Sequence, residues 1–294
     1  MGVNENKTLS IDELREQARR ARLVATDLDG TLFDRSHSLP DENRDALAEL
    51  ARKGVILVAA TGRSRTSIPE SLTSLPGIKY LITANGARIY DNVTGGLVYE
   101  KYLSVDALDY VRPLLSDKEV LCEAFWDGTP HVEESRYNDA RDYGIPRWFS
   151  DYFFGTRTPL RGFEGAIDEN RLAIENINFV FGRDDVQERL RAFLGRRTDL
   201  YELTSSFPFN FEIGGVGVCK AAAVGFIAER EGVPADETIC FGDNDNDVSM
   251  IEYAGIGVAT SNAVPRALAA ADFITGSSED SGVASALKAL GLTG

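Results

Sequence analysis

Three short apolar runs in the first third of the chain each break off at a small polar cluster. Residues 22–26 run into Asp27, Leu28, Asp29, Gly30 and Thr31, residues 55–60 into Thr61-Gly62-Arg63, and residues 78–83 into Ala84-Asn85-Gly86. Continuous apolar runs rich in β-branched residues read as strands buried on both faces. Between the first two, Pro40, Asp41 and Glu42 form the first turn of a helix, Ala46, Leu47 and Leu50 its apolar face, and Lys53-Gly54 its stop. Strand, helix and strand, with a short polar loop after each strand, is the pattern of a parallel α/β sheet. Ligands of such sheets gather beyond the carboxyl ends of the strands, and Asp27, Thr61 and Asn85 all fall there.

From residue 87 the rhythm changes. A hairpin is expected around Thr94-Gly95-Gly96, a helix from Ser104 through Leu108, Val111 and Leu115, and a second hairpin whose Asp127-Gly128 pair favours a type I′ turn. Residues 135–165, rich in arginine and aromatics, carry no clear pattern. A strand over 176–181, a helix over 184–194 and an antiparallel pair over 199–204 and 210–213 complete this α+β stretch. The parallel alternation resumes after Gly214. A helix opens at Lys220, a strand over 237–241 delivers Gly242-Asp243-Asn244-Asp245-Asn246-Asp247, and residues 256–259 and 273–274 are further strands, the last an edge. The fold class is therefore α/β: a Rossmann-like parallel-sheet core over residues 21–102 and 212–294, with an α+β domain inserted over 103–211. Residues 1–20 form a helical extension, opened by a Ser10/Glu13 capping box.

Composition narrows the function. A net charge of −15 argues against a nucleic-acid partner, since binding a phosphate backbone requires clustered cations. No apolar run is long enough to cross a bilayer, and the N-terminus lacks the apolar core of a signal peptide. Cys122, Cys219 and Cys240 are scattered, odd in number and without CxxC spacing, which fits reduced thiols in the cytoplasm.

The two acidic clusters ask for a cation. Asp243, Asp245 and Asp247 have the spacing of the first ligands of a calcium loop, but its required Gly and Glu are replaced by Val248 and Ala254. Neither a complete GxGxxG nor a GxxxxGK[ST] occurs. With two histidines, His37 in a loop and His131 in the insert, a histidine triad or His-rich zinc site is disfavoured, and surface imidazole is the expected fate of both. What remains is a set of parts converging on one rim: acids for a hard divalent cation, and Thr61, Gly62, Lys220 and Asn246 for a phosphoryl group.

In order along the chain, DLDGT (Asp27 to Thr31), ATGR (Ala60 to Arg63), ANG (Ala84 to Gly86), the Lys220 helix and GDNDND (Gly242 to Asp247) with YAGIGVA (Tyr253 to Ala259) strongly resemble the haloacid dehalogenase-like phosphatase superfamily. The α+β insert resembles the type IIB cap of its Cof-type subgroup. Ala221 departs from the glycine often found after the lysine. The resemblance implies a Mg²⁺-dependent phosphatase of small phosphorylated metabolites, sugar phosphates foremost, working through an aspartyl-phosphate. It implies Asp27 as nucleophile and Asp29 as general acid and base, and it implies Mg²⁺ on Asp27, the Asp29 carbonyl and Asp243, with Asp247 near the metal or orienting Lys220. Thr61, Gly62, Lys220 and Asn246 would bind the phosphate. A phosphomutase with the same chemistry, or a non-catalytic binding protein on the same scaffold, are the alternatives. A cytoplasmic monomer or weak homo-oligomer with no membrane or nucleic-acid partner is expected, with substrate choice set by the cap, where His131, Arg136, Arg141 and Arg147 are candidates.

Overall fold

The computed structural model describes residues 2–3 and 9–294; the remaining part of the expected N-terminal extension, residues 1 and 4–8, lies outside the described residues. In chain order the strands and helices are β1 (Gly2–Val3), α1 (Ile11–Ala18), β2 (Leu23–Thr26), α2 (Asp41–Arg52), β3 (Ile56–Ala60), α3 (Glu70–Thr73), β4 (Ile78–Thr83), β5 (Arg88–Asp91) and β6 (Leu97–Glu100). There follow α4 (Val105–Leu115), β7 (Leu121–Trp126), β8 (Thr129–Glu133), α5 (Glu134–Asn138), α6 (Arg147–Thr156), β9 (Thr158–Leu160), α7 (Phe163–Glu169), β10 (Asn176–Val180), α8 (Asp184–Leu194), β11 (Glu202–Thr204) and β12 (Asn210–Gly214). The chain ends with α9 (Lys220–Glu231), β13 (Thr238–Gly242), α10 (Val248–Tyr253), β14 (Ile256–Ala259), α11 (Pro265–Ala270), β15 (Phe273–Ile274) and α12 (Gly282–Ala289).

Two compact units result. The first comprises the described residues up to Thr61, Pro69–Tyr99 and Cys219–Gly294, and the second comprises Gly62–Ile68 and Glu100–Val218. The first is built on a nine-stranded sheet in the order β1-β15-β14-β13-β2-β3-β4-β5-β6. Its pairs from β15 through β4 are all parallel, as the uninterrupted apolar runs require, while β5 turns back antiparallel against β4. Leu23, Ala25, Val58, Ala60 and Ile82 share one core cluster with Val224 and Ile227 of α9. The strand at 273–274 is not an edge. Gly2–Val3 pairs antiparallel with it, and a two-residue strand at the extreme N-terminus carries no periodic signal.

α1 opens with the expected capping box: the Glu13 N–H donates to Ser10 Oγ at 3.3 Å, and the Ser10 N–H to Glu13 Oε2 at 2.7 Å. On α2, Ala46, Leu47 and Leu50 face inward, and so does Asn43, which is fully buried. The Asn43 amide donates to Leu32 O at 2.9 Å and accepts from the Ala284 N–H at 2.9 Å, joining the loop after β2 to the start of α12.

The second unit holds a six-stranded sheet in the order β11-β12-β10-β7-β8-β9. Asp127 (φ +50°) and Gly128 (φ +69°) make the sharp turn between β7 and β8 that their pairing in the sequence favours. One face is apolar: Cys122, Ala124, Ile177, Phe179, Phe211 and Ile213 pack with residues of α4, α7 and α8. On the alternate positions Glu123, Asn178 and Glu212 lie in register across three neighbouring strands. Residues 135–165, unreadable from pattern, fold into short helices and the edge strand β9 around a second cluster holding Ile145, Phe149 and Phe153.

Asn43→Ala leaves a buried carbonyl and a partly buried N–H without their partner, so it is expected to lower stability by about 1–3 kcal/mol. Chemical denaturation, reading the midpoint at unchanged slope, measures this.

Candidate active site

β2 and β13 are adjacent and parallel, and the Asp27 N–H extends their ladder by donating to Phe241 O at 2.9 Å. The chain then winds into a tight turn, with the Thr31 and Phe33 N–H groups donating to Leu28 O at 3.3 and 2.8 Å. Leu28, Leu32 and Phe33, all fully buried, anchor it. Gly30 sits at φ +83°, and a Cβ there would stand 2.4 Å from Asp243 Oδ2. Only glycine lets the two acidic loops approach this closely. Within the second loop Gly242 has a like role in folding the loop back on itself, since a Cβ there would meet that of Asp247 at 2.3 Å.

The carboxylates of Asp27, Asp243 and Asp247 are buried and offer oxygens within 4.8 Å of one another. Lys220, at the first position of α9 and fully buried, donates from Nζ to Asp27 Oδ1 at 2.5 Å and to Asp247 Oδ1 at 2.6 Å. The other Asp247 oxygen accepts the N–H groups of Asp243 and Asn244, each at 3.0 Å. Asp243 Oδ1 accepts from the Thr31 hydroxyl at 2.9 Å. Both oxygens of Asp247 are thus committed to holding the loop and the lysine.

Three acids face one ammonium. Burial, then the Asp247 charge, push Asp27 up to about 7 in spite of Lys220. Burial together with Asp27 and Asp247 raises Asp243 well above the usual carboxylate range. For Lys220, desolvation is overcome by Asp247 and Asp27, so its pKa is raised and it stays charged. An all-oxygen donor set with surplus negative charge fits a hard divalent cation and suits no soft metal.

The neighbouring strand ends are tied to this centre. Thr61, buried, donates from its N–H to Ile82 O, and the Asn85 N–H donates to Thr61 O, both at 3.0 Å. Asn85 adopts φ +57°, which asparagine tolerates, and its Oδ1 accepts from Asn246 Nδ2 at 3.0 Å. Gly62 follows Thr61 directly at the start of the other compact unit.

Asp29 stands apart from the three clustered carboxylates. Its side chain is 16% exposed and its Oδ1 lies 2.7 Å from His37 Nδ1. His37 is therefore not the surface imidazole its loop position predicts: its own side chain is only 17% exposed. No spacing rule reveals a contact made across a reversing loop. Asn43 was missed for a related reason, since a polar residue on a helix reads as its solvent face. In the second unit His131 stacks on Trp126, with ring centroids 3.6 Å apart, and Arg136 donates to Val120 O at 2.6 Å. Arg141 and Arg147 are exposed. The buried polar groups there are others: Arg157 Nε donates to Glu123 Oε1 and Asn178 Nδ2 to Glu123 Oε2, both at 2.6 Å.

Residues 24–287 match the family model described as haloacid dehalogenase-like hydrolase. The chain belongs to that family, in its Cof-type subgroup. This haloacid dehalogenase-like hydrolase is 32% identical over 269 residues to the 5-amino-6-(5-phospho-D-ribitylamino)uracil phosphatase YcsE of Bacillus subtilis, covering 91% of this chain and 94% of that protein. It is 31% identical over 289 residues to phosphatase YwpJ of the same organism, covering 92% and 99%. Among solved structures, a haloacid dehalogenase-like hydrolase from B. subtilis superposes with a TM-score of 0.81 at 26% identity, over 91% of this chain and 99% of that one. The enzyme class is phosphoric monoester hydrolase.

The raised pKa of Asp27 has a signed consequence for the metal-free hydrolase. The folded state holds a proton on Asp27 up to about pH 7 that the unfolded chain releases near the ordinary carboxylate value, 3.8. Stability contributed by this group therefore falls as pH rises from about 4 to 7 and stays lost above. Asp27→Asn is expected to raise the melting temperature of metal-free protein at pH 8 and to raise it less at pH 5, as differential scanning fluorimetry in EDTA reads directly.

Proposed function

We propose that this hydrolase is a Mg²⁺-dependent phosphatase of small phosphorylated metabolites, sugar phosphates foremost, acting through an aspartyl-phosphate on Asp27. The observation that carries this reading is the fully buried Lys220 ammonium held between Asp27 and Asp247 within a cluster of three buried acids. Nothing in core packing calls for such a charge, whereas phosphoryl transfer needs fixed positive charge beside an anionic nucleophile.

An Asp27 oxygen attacks phosphorus and the bond to the ester oxygen breaks, while Asp29 gives its proton to the departing alcohol. Asp29, now a carboxylate, takes a proton from water; the water oxygen bonds phosphorus, the bond to Asp27 breaks, and orthophosphate leaves. Lys220 holds Asp27 and a phosphoryl oxygen, and the Thr61 hydroxyl and Gly62 N–H hold others, with Asn246 assisting. The Asp27 and Asp243 carboxylates and the Asp29 carbonyl would hold Mg²⁺, which when bound would supply further positive charge against the phosphoryl oxygens and favour ionised Asp27. Asp247, occupied with Lys220 and two backbone N–H groups, orients the lysine.

A cytoplasmic setting accords with the three free cysteines, of which Cys122 and Cys240 are buried, with thiol pKa values raised by that burial.

Incubation with a panel of sugar phosphates and Mg²⁺ is expected to release orthophosphate, not an isomerised sugar phosphate, and EDTA is expected to stop it. Asp27→Asn should lower kcat at least about 1000-fold, in line with loss of a nucleophile. Orthophosphate release undiminished in that variant would refute the assignment.

A further inference from the structure

The loop after β2 is built around an unusual backbone. Asp34 organises it: its Oδ1 accepts from the Ser36 N–H at 2.8 Å, the Ser36 hydroxyl at 2.6 Å and the Ser38 N–H at 3.0 Å, while its own N–H donates to Ser38 O at 3.0 Å. The His37 N–H closes the turn onto Asp34 O at 3.0 Å. Within it His37 is held at φ +59°, a left-handed conformation that is disfavoured for a residue with a Cβ. Glycine would relieve this at once. Instead the position carries an imidazole, folded inward so that Nδ1 meets Asp29 Oδ1 at 2.7 Å.

We infer that His37 is a positioning residue for the general acid: with its hydrogen on Nδ1, the ring donates to Asp29 Oδ1 and fixes the rotation of that carboxyl group. This rests on the assignment of Asp29 as the proton donor to the leaving oxygen. Asp29 emerges on a turn and, unlike Asp27 and Asp247, is not held by the buried Lys220, so the imidazole supplies the orientation that the lysine provides elsewhere. A proton donor misaligned in this way loses efficiency only where the leaving group needs the proton.

Leaving-group dependence therefore separates a positioning role from a structural one. His37→Gly suits the left-handed backbone and removes the ring. It is expected to reduce kcat/KM by about 10–100-fold for the best sugar phosphate of the panel, whose alkoxide must be protonated, and by less than about 3-fold for p-nitrophenyl phosphate, whose phenolate leaves unassisted. His37→Asn also tolerates φ +59° and places Nδ2 where Nδ1 stood, so it should recover most of the sugar-phosphate rate. Equal losses on both esters, no loss on either, or no recovery with asparagine would each overturn the inference. Wild-type protein inactive on every ester would instead refute the phosphatase reading itself.

Discussion

The structure turns on one buried cation. Lys220 lies at the first position of α9, and its ammonium meets Asp27 at the end of β2 and Asp247 in the loop after β13. An isolated buried ammonium would be costly, and so would the acids around it. Together they compensate one another, but only if three segments remote in sequence are held within hydrogen-bond distance. The parallel pairing of β2 with β13 provides that distance, and α9 packing through Val224 and Ile227 against Leu23, Ala25 and Val58 provides the direction. The compensation is left incomplete, because Asp243 and Asp27 carry more negative charge than Lys220 offsets. That residue of unbalanced charge is what lets the cluster fit a cation, beyond a simple salt bridge.

Close approach is the second condition. Gly30 occupies a place where a Cβ would collide with the Asp243 carboxylate of the opposing loop, and Gly242 one where a Cβ would collide with Asp247 of its own loop. The turn at Gly30 is further fixed by Asn262 Nδ2, which donates to its carbonyl at 2.8 Å, and by the Asn43 bridge from Leu32 to Ala284. Asn43 is buried and Asn262 exposed, and both hold the loops around the acids by hydrogen bonds as well as by apolar packing. His37 belongs to the same scaffold, its Nδ1 meeting the carboxyl of Asp29, to which Lys220 does not donate.

The parallel sheet was legible because its strands are buried on both faces and so read as unbroken apolar runs: β2, β3 and β4 each end at the polar cluster that reaches the site. The Asp127-Gly128 turn was legible because few residue pairs accept two consecutive left-handed conformations. Residues 135–165 were not, because short helices such as α5 and α6 take their order from aromatic contacts with residues far along the chain, Phe207 and Phe209 among them. Likewise β1 is too short to show a pattern, yet it covers what looked like an edge.

By itself, then, the order of residues determined which groups stand at the strand ends: Asp27, Thr61 and Asp243 follow their strands directly and Asn85 follows one residue later, and a strand's polarity fixes where its last residue points its chain. The tertiary structure alone decided the partnerships. Whether Asp247 faces a metal or a lysine, whether His37 faces water or Asp29, and which polar side chains of the second unit are buried all depend on contacts between residues 8 to 193 positions apart, which no local periodicity encodes.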